Sequence, residues 1–378
     1  MAKVAGWLSE GIQMCRTKDR LHLVASVFDD LGVCNHCNEA VTLLPKYMNL
    51  EPQNSEIKSL ISKVKKQSGN YNCLIGLSGG IDSSYVALLA KKWNLNPLCL
   101  HFDNGWNSDI AVKNIRNIIK YTKFDYETVV INWPEFKSLQ RAYLKAGVVD
   151  IEALTDHAIF ASMMKISKQE KIKFILSGTN YVTEHGMPES WSWHKLDLRN
   201  IKAINKKYGD IKKLRSYPTT TTLKWLLMRK LGFGLEFLEP LNLIPYTKDH
   251  AMEELKKEFN WEYYGGKHYE SVFTKFYQAH ILPVKFQIDK RKVHLSALIR
   301  ANQMDRKDAI KQLEEPLYKQ DELVRDLKFV CKKLNFTDSE LQTILSMKPV
   351  SHLNFRSDRN LIEPLLNIAR YFGVSTFK

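Results

Sequence analysis

A segment rich in glycine, hydroxyl and acidic residues, Ser-Gly-Gly-Ile-Asp-Ser-Ser at positions 78–84, follows a short apolar run. Glycines let the backbone approach a ligand closely, and the free N–H groups in the first turn of a helix bind anions. The hydroxyls of Ser78, Ser83 and Ser84 can donate further hydrogen bonds to phosphate oxygens. Asp82 would repel phosphate unless it holds a cation such as Mg²⁺. The pattern therefore predicts a polyphosphate site, and the simpler alternative is a glycine turn in which Asp82 or Ser83 caps the helix.

The elements around this segment alternate between strands and helices. Apolar runs predict strands at 72–77, 96–103, 126–131 and 173–177, and helical spacing predicts helices from Asp82, at 111–121 and at 151–169. This order predicts a doubly wound parallel α/β sheet, in which ligands bind at the carboxyl ends of the strands. We therefore expect three segments to converge there: Ser78–Ser83, Asp103–Gly105 and Ser177–Asn180.

The alternation stops beyond Glu184, where mostly helical patterns follow. A loop is predicted at 184–193, a proline-punctuated connection at 238–245, and helices at 247–259, at 295–301 and after Leu317. These changes divide the chain into three parts: an N-terminal cysteine-containing segment (1–45), an α/β nucleotide-binding domain (46–185) and a mostly helical C-terminal region for substrate or partner (186–378).

The composition is that of an ordinary globular chain, with 44% hydrophobic residues and no apolar run of the roughly 18 residues that a membrane span needs. The first residues have neither a long apolar core nor a small-residue cleavage site, so no secretory signal is predicted. Six cysteines do not suggest a disulfide framework, and a reducing cytoplasm fits best. The net charge of +15 permits a polyanionic partner, but the basic residues are spread along the chain, which disfavours dedicated nucleic-acid binding.

The segment at 78–84 resembles the PP-loop of the ATP pyrophosphatases, which cut ATP between the α and β phosphates. The chain has neither G-x-x-x-x-G-K-[ST] nor G-x-G-x-x-G, which disfavours kinase-like and dinucleotide-binding sites. Further segments are similar to those of one PP-loop family, the N-acetyl sugar amidotransferases of bacterial surface-polysaccharide (LPS O-antigen) biosynthesis: 28–37, 98–106, 155–160, 177–180, 263–275 and 283–299. The resemblance covers nearly everything from about Phe28 onward.

This resemblance implies a specific reaction. ATP adenylates the amide oxygen of a nucleotide-linked acetamido sugar, and pyrophosphate leaves; ammonia then displaces AMP and leaves an acetamidino group. Adenylation is chemically necessary because an amide carbon is a poor electrophile and its oxygen is a poor leaving group. The anionic pyrophosphate is stabilised by backbone N–H groups and by metal. The implied cofactors are ATP and Mg²⁺.

The resemblance also assigns roles to individual residues. The ATP and pyrophosphate ligands would be Ser78, Gly79, Gly80, Asp82 (which also holds magnesium) and Ser83, with a second nucleotide contact at Ser177, Gly178 and Thr179. Asp103 closes the second strand and either caps its turn or contacts the nucleotide. Catalytic roles are predicted for Asp82, Lys267, Glu270 and Lys290.

Several of these residues have simpler alternatives. Lys267, His268, Glu270 and Ser271 follow two glycines and form either a substrate segment or a solvated loop. Lys290 and Arg291 either neutralise pyrophosphate or begin a basic helix. Asp156 and His157 lie early in a helix, where a histidine is more often structural than functional.

The cysteines bear on both the ammonia source and a possible metal. A glutaminase needs an activated cysteine at the N-terminus or on a sharp turn, and no cysteine here has such a context. The resemblance therefore implies a separate glutaminase subunit and an ammonia-channelling carrier subunit, like the histidine-pathway synthase pair. Cys34 and Cys37 form a C-x-x-C that, with Cys15, suggests a degenerate zinc site. Members of the family carry an earlier C-x-x-C that this chain lacks, so two reduced thiols are the alternative.

Two other functions are compatible with the motifs. A tRNA-modifying PP-loop enzyme would adenylate a base before adding sulfur or an amine; the basic charge favours it, and the lack of an additional downstream cysteine pair disfavours thiolation. A non-catalytic nucleotide-binding module would retain the fold alone, which the intact Ser-Gly-Gly-x-Asp-Ser pattern disfavours.

Overall fold

The computed structural model describes residues 26–230 and 234–359 of the 378-residue chain. Within these ranges no helix has the length and apolar character needed to cross a bilayer. Cys15 lies outside the described residues, as does most of the predicted 1–45 segment.

The central sheet contains five parallel strands in the described part of the chain: β1 (Cys73–Gly76), β2 (Pro97–Asp103), β3 (Asp125–Val130), β4 (Phe174–Leu176) and β5 (Glu236–Leu238). Their spatial order is β3-β2-β1-β4-β5. The chain thus moves outward from β1 through β2 and β3, then returns to place β4 on the other side of β1. This reversal leaves a crevice at the carboxyl ends of β1 and β4, where doubly wound sheets bind their ligands.

Helices surround the sheet and form the C-terminal part. They are α1 (Asn35–Leu43), α2 (Pro45–Met48), α3 (Ser55–Lys65), α4 (Ile81–Lys92), α5 (Asp109–Thr122), α6 (Trp133–Ala146), α7 (Ala153–Gln169), α8 (Tyr181–Glu184), α9 (Leu198–Tyr208), α10 (Thr222–Lys230), α11 (Lys248–Phe259), α12 (Val272–Phe276), a π-helical segment (Tyr277–Phe286), α13 (Lys290–Arg300), α14 (Arg306–Glu314), α15 (Gln320–Leu334) and α16 (Asp338–Ser346). Short 3₁₀ turns occupy Glu189–Trp191, Pro240–Asn242 and His352–Asn354.

The predicted α/β fold is confirmed, and the four predicted strands are present within one residue of their predicted ends. The expectation that the alternation stops at Glu184 is wrong, because β5 adds a fifth parallel strand and Phe174 pairs with Glu236. Three residues are too few to show a strand period, so pairing with β4 decides their conformation. Helix α6 was not predicted either, although Pro134 in its first turn and Gly147 at its end are typical helix-boundary residues.

Apolar packing fixes the helices to both faces of the sheet. One core cluster joins α3, α4 and α11 to β1 around Val86, and another places Met163 of α7 against the opposite face. A third cluster joins α6 and α7 to the helices that follow residue 270, through Tyr143, Phe276 and Leu334. The predicted domain boundary at 185/186 is thus crossed both by the sheet and by this core, and the three-part division stays a prediction.

Strand β3 forms one edge of the sheet and is mostly exposed along its length. Its exposed residues include Asp125 and Glu127, which are two positions apart in the strand and therefore lie on the same face. Tyr71 donates a hydrogen bond to Asp125 at 2.8 Å.

A buried histidine fastens the end of the described chain to the sheet domain. His352 donates from Nδ1 to Asn200 of α9 at 2.8 Å and accepts at Nε2 from the backbone N–H of Asp150 at 3.4 Å. Its ring stacks on Trp193 with centroids 4.7 Å apart. Burial lowers the pKa of His352 to about 4, so the folded protein holds this ring neutral.

We predict that His352→Phe lowers the free energy of unfolding at pH 7 by roughly 2–4 kcal/mol, because stacking is kept while two buried polar partners lose their hydrogen bonds. In the wild type, the contribution of neutral His352 is complete above pH ~6.5, the unfolded pKa, and is lost as the pH falls towards about 4. The variant should therefore lose less stability over that window. Urea unfolding at pH 7, 5.5 and 4.5 measures both effects.

Leu353→Ala is the matched control, because the neighbouring Leu353 is 52% exposed and its truncation should change stability by less than about 0.5 kcal/mol. Equal losses for the two variants at pH 7 would contradict the anchoring role of His352.

Candidate active site

The segment 78–84 forms the turn between β1 and α4. Gly80 is the N-cap of α4, and Gly79 has a positive φ of 81°. A Cβ atom on Gly79 would lie 2.6 Å from the carbonyl oxygen of Ala111, so glycine is required there both by conformation and by space. The turn presents the N-terminus of a twelve-residue helix at the crevice between β1 and β4.

Hydroxyl groups hold this turn in shape. Ser83 Oγ accepts from the backbone N–H of Ser78 at 3.2 Å and lies 3.1 Å from Ser78 Oγ. Ser78 Oγ also accepts from the N–H of Gly80 at 3.2 Å, and the hydroxyl of Tyr264 accepts from the N–H of Ile81 at 3.3 Å. These N–H···O contacts are longer than the roughly 2.9 Å of a typical hydrogen bond, so an anion that accepted from the same N–H groups could replace them.

The segment after β4 packs directly on this turn. A Cβ atom on Gly178 would lie 2.9 Å from the carbonyl carbon of Asp82 and 3.0 Å from the nitrogen of Ser83. The hydroxyls of Ser177 and Thr179 lie 2.8 Å apart beside it. Two of the three predicted segments, Ser78–Ser83 and Ser177–Asn180, therefore converge at the carboxyl ends of β1 and β4.

The third segment is divided, because Asn104 lines a cavity together with Ser78 and Ser177 whereas Asp103 does not. Asp103 accepts hydrogen bonds from the N–H of Gly105 at 2.8 Å and from Asn107 at 3.2 Å. It lines a separate depression with Arg116 and Tyr126, away from the turn. The expected nucleotide contact of Asp103 is thus not supported by its placement, and its hydrogen bonds are those of a residue that caps its own turn.

Asp82 and Glu184 bring two buried acids to the crevice. Burial and the negative charge of Glu184 raise the pKa of Asp82, and Tyr246 donates a hydrogen bond to the Asp82 carboxylate. Burial would raise the pKa of Glu184 as well, but Lys267 Nζ, 3.0 Å away, holds it below its ordinary value. A divalent cation would relieve the repulsion between the two acids, so they fit Mg²⁺, which favours carboxylate oxygens. Glu184 was missed because the sequence placed it at the start of a loop.

The segment 263–271 covers the turn from the other side. The N–H of Ser108 donates to the carbonyl of Glu270 at 2.8 Å, and Asn107 and Ser271 form an isolated antiparallel bridge. These contacts tie the segment to the end of β2. A Cβ on Gly80 would lie 3.0 Å from the carboxylate of Glu270 and 3.2 Å from the hydroxyl of Tyr264. The predicted residues Lys267 and Glu270 therefore do lie at the turn.

Two cavities meet at the turn. The tyrosine cavity, about 670 Å³, is lined by the turn and by Tyr246, Tyr263, Tyr264 and Tyr269. The sheet cavity, about 650 Å³, is lined by the strand ends Leu77, Leu100, Phe102, Leu176 and Phe237 and by α7. The residues that line both cavities are Ser78, Ser177, Gly178, Thr179, His268, Glu270, Gln278, Lys290 and His294. The two spaces thus form one bipartite site with the phosphate turn in its shared wall.

A buried ionic cluster lies at one end of the sheet cavity. Lys195 Nζ lies 2.5 Å from Asp150 and 3.1 Å from Asp156. Burial and the charge of Asp156 raise the pKa of Glu152 to about 7, although Thr274 donates a hydrogen bond to it at 3.0 Å. Lys290, at the N-terminus of α13, also reaches this cluster, and burial lowers its pKa. Asp156 is therefore a cavity residue, and Lys290 lines the shared wall.

Two other sequence candidates make structural contacts. The Arg291 guanidinium binds both oxygens of Asp289 and the carbonyls of residues 312, 313 and 315, which fixes the end of α14. His157 donates from Nδ1 to the carbonyl of Lys195 at 2.7 Å and accepts at Nε2 from the N–H of Thr220 at 3.3 Å. Burial lowers the pKa of His157 to about 4, which keeps this hydrogen-bonded ring neutral.

The C-x-x-C lies apart from both cavities. Fully buried Cys34 is the N-cap of α1, and Cys37 is in its first turn. The hydrogen bond from Cys37 lowers the pKa of Cys34 to about 5, and the same contact raises the pKa of Cys37. Across the described residues, no three His, Cys, Asp or Glu side chains are grouped to hold a metal. Since Cys15 lies outside them, the zinc site stays a prediction.

Comparison with known proteins adds to this geometry. The NAD synthase family model matches residues 53–214, which include the turn and the segment after β4. A second family model, described as the C-terminal domain of WbpG-like LPS biosynthesis proteins, matches residues 270–368. The first match contains the phosphate turn, and the second contains Glu270 and Lys290 of the shared wall.

The chain is also similar to individual proteins. The chain is 28% identical over 143 residues to an uncharacterised protein of Methanocaldococcus jannaschii, covering 38% of this chain and 50% of that protein. It is 26% identical over 245 residues to the glutamine-hydrolysing GMP synthase of Ehrlichia ruminantium, covering 60% of this chain and 41% of the synthase. The chain thus spans half or less of the length of these curated relatives. The NMN synthetase of Francisella tularensis is 14% identical with a TM-score of 0.34, covering 65% of this chain and 90% of that one.

The acidic pair yields a prediction about metal and stability. Asp82→Asn removes one of two mutually repelling buried charges, so the ligand-free chain should melt roughly 2 °C higher. The same change should weaken Mg²⁺-dependent ATP binding at least about tenfold. Differential scanning fluorimetry with and without Mg-ATP measures both quantities.

Asp109→Asn makes the same change at an exposed acid in the first turn of α5 and should alter neither quantity. An Asp82→Asn chain that binds Mg-ATP as tightly as the wild type would contradict the assignment of this pair to the metal.

Proposed function

The chain belongs to the PP-loop superfamily and carries a WbpG-like domain of LPS biosynthesis, and from this combination we propose that it is an ATP-dependent N-acetyl sugar amidotransferase. It converts the acetamido group of a nucleotide-linked sugar into an acetamidino group through an adenylated intermediate. The product serves surface-polysaccharide (O-antigen) biosynthesis in the cytoplasm. The observation that carries the proposal is the bipartite cavity, because this reaction needs two bulky ligands to meet at one α-phosphate.

The phosphate turn supplies the chemistry of ATP cleavage. Backbone N–H groups at Gly80 and Ile81, with the α4 N-terminus, stabilise the negative charge that develops on departing pyrophosphate. Magnesium held by Asp82 and Glu184 would supply further charge neutralisation there. Ser78 and Ser83 orient the turn, and the close packing of Gly178 holds the second nucleotide segment against it.

The two cavities suit different ligands. The strand ends and α7 give the sheet cavity flat apolar walls, including Phe160 and Phe237 with centroids 5.5 Å apart, which favour an adenine ring. The tyrosine cavity combines aromatic rings with Lys248 and Lys267, a lining that suits a sugar carrying a diphosphate. Lys267 then offsets the charges of Asp82 and Glu184, and Lys290 neutralises phosphate in the shared wall.

The ammonia must come from outside this chain's described cavities. Neither cavity is lined by a thiol among the described residues, and Cys34, whose pKa is lowered, is fully buried elsewhere. A cysteine nucleophile for glutamine is therefore lacking at this site. A glutaminase subunit with an ammonia-channelling carrier is the expected partner.

The proposal predicts that purified protein with ATP, Mg²⁺ and ammonium releases AMP and pyrophosphate when a UDP-linked N-acetyl sugar is present. Mass spectrometry of the sugar should detect one acetamido oxygen replaced by an NH group. Transfer RNA, tested in parallel, should give no AMP, because the basic residues are spread along the sequence and form no long basic run. AMP release with tRNA and not with the sugars would replace this proposal with tRNA modification, and no release with either would leave a nucleotide-binding module.

A second prediction concerns the nitrogen source. Glutamine alone should support less than about 1% of the rate with ammonium, because the described cavities hold no thiol nucleophile. Adding the partner glutaminase should restore the glutamine rate. Full activity with glutamine and this chain alone would contradict the proposed division of labour.

A further inference from the structure

One histidine at the junction of the two cavities has no hydrogen-bond partner. Both ring nitrogens of His294, on α13, are inaccessible to solvent and unpaired. Its ring lines both cavities, and its centroid is 6.3 Å from that of His268. A buried ring with two unpaired nitrogens costs free energy unless a ligand completes its hydrogen bonds.

A second unpaired group faces the same junction. Glu270 Oε2 is buried without a partner, while Oε1 lies 3.8 Å from His268 Nδ1. The same carboxylate lies close to Gly80 of the phosphate turn. Two adjacent unpaired groups beside the turn therefore mark the place where a polar part of the substrate would lie.

The charges around His294 keep its ring neutral. Burial lowers its pKa well below the ordinary value, and the cationic groups of Lys267, His268, Lys290 and Lys248 lower it further. These groups come from the 263–271 segment, from α13 itself and from the start of α11. A neutral imidazole has one N–H donor and one free acceptor nitrogen, and an acetamido group has the matching acceptor and donor.

On the basis of the proposed function, we propose that His294 is the catalytic base that removes the acetamido N–H proton as the carbonyl oxygen is adenylated. Glu270 assists by stabilising the positive charge that develops on the amide and then on the imidazole. Lys290 and Arg291 of the same segment were predicted from the sequence, whereas His294 was not.

The acetamido oxygen attacks the α-phosphorus, the bond from that phosphorus to the bridging oxygen breaks, and pyrophosphate leaves. The N–H proton passes to the free nitrogen of His294, and its electron pair forms the C=N bond of a neutral O-adenylyl imidate. The imidazolium then releases the proton to pyrophosphate or solvent. Ammonia adds to the imidate carbon, and the C–O bond breaks to release AMP.

A weak base is sufficient for this transfer. An amide N–H is a very weak acid, but the cationic imidate formed by O-phosphorylation is a strong one. The low basicity of His294 therefore does not prevent proton transfer, and it ensures that the acceptor nitrogen is free at neutral pH. A lysine at the same position would be protonated and unable to accept.

The test measures the first half-reaction, sugar-dependent pyrophosphate release without ammonia, in His294→Ala and His294→Gln. We expect the single-turnover rate constant to fall by about 100-fold or more in both, with the ATP concentration that gives half the maximal rate changed less than about threefold. Free imidazole should restore His294→Ala, which leaves space for it, and not His294→Gln, which fills that space. An unchanged single-turnover rate constant at saturating sugar, or no restoration by imidazole in a folded His294→Ala protein, would overturn the assignment.

His280→Ala is the matched control. His280 also has a buried, unpaired Nε2, but it lies in the π-helical segment and lines neither cavity, so its loss should leave pyrophosphate release unchanged. The wild-type protein distinguishes a failure of the proposed function from a failure of the role assigned to His294. No sugar-dependent pyrophosphate release from it would overturn the proposed function together with this role, whereas wild-type release that His294→Ala retains would overturn only the role of His294.

Discussion

The contact between the segment after β4 and the first turn of α4 determines the architecture of the site. Gly178 lies so close to Asp82 that any side chain would collide with backbone. This approach is possible because β4 pairs directly with β1, and that pairing follows from the reversal in strand order. The phosphate turn, the second nucleotide segment and the acid Glu184 are all placed by this one contact.

Several charged and polar groups around the same region are in an electrostatically unfavourable environment in the ligand-free protein. Asp82 and Glu184 are buried with like charge, Lys290 is a buried cation, and His294 and Glu270 leave polar atoms unpaired. A chain selected only for stability would replace such groups with apolar ones. Groups of this kind in the lining of both cavities are typical of a ligand site that is completed by its substrates.

The fold and about half of the site residues could be predicted from the sequence, and the reasons differ from element to element. The strands β1 to β4 were predicted because each has an apolar run beside a clear helix pattern, and the turn at 78–84 because glycine, serine and aspartate stand between them. β5 was missed because its pairing is non-local. Glu184 and His294 were missed because no local spacing assigns either of them a role, although His294 lies inside the resembling segment 283–299. Both become site residues only where α8, α13 and the turn meet in space. Asp103 illustrates the reverse case, since its position at a strand end is right but its carboxylate caps a turn instead of facing the crevice.

The open edge at β3 has a consequence for the behaviour of the protein at high concentration. An unpaired strand offers its N–H and C=O groups to any other strand, which is the usual route to edge-to-edge aggregation. Here Asp125 and Glu127 stand exposed along that edge, so two copies that approached edge to edge would bring like charges together. Although the overall charge of the chain is strongly positive, these two negative charges on the edge strand disfavour the assembly of copies into larger sheets.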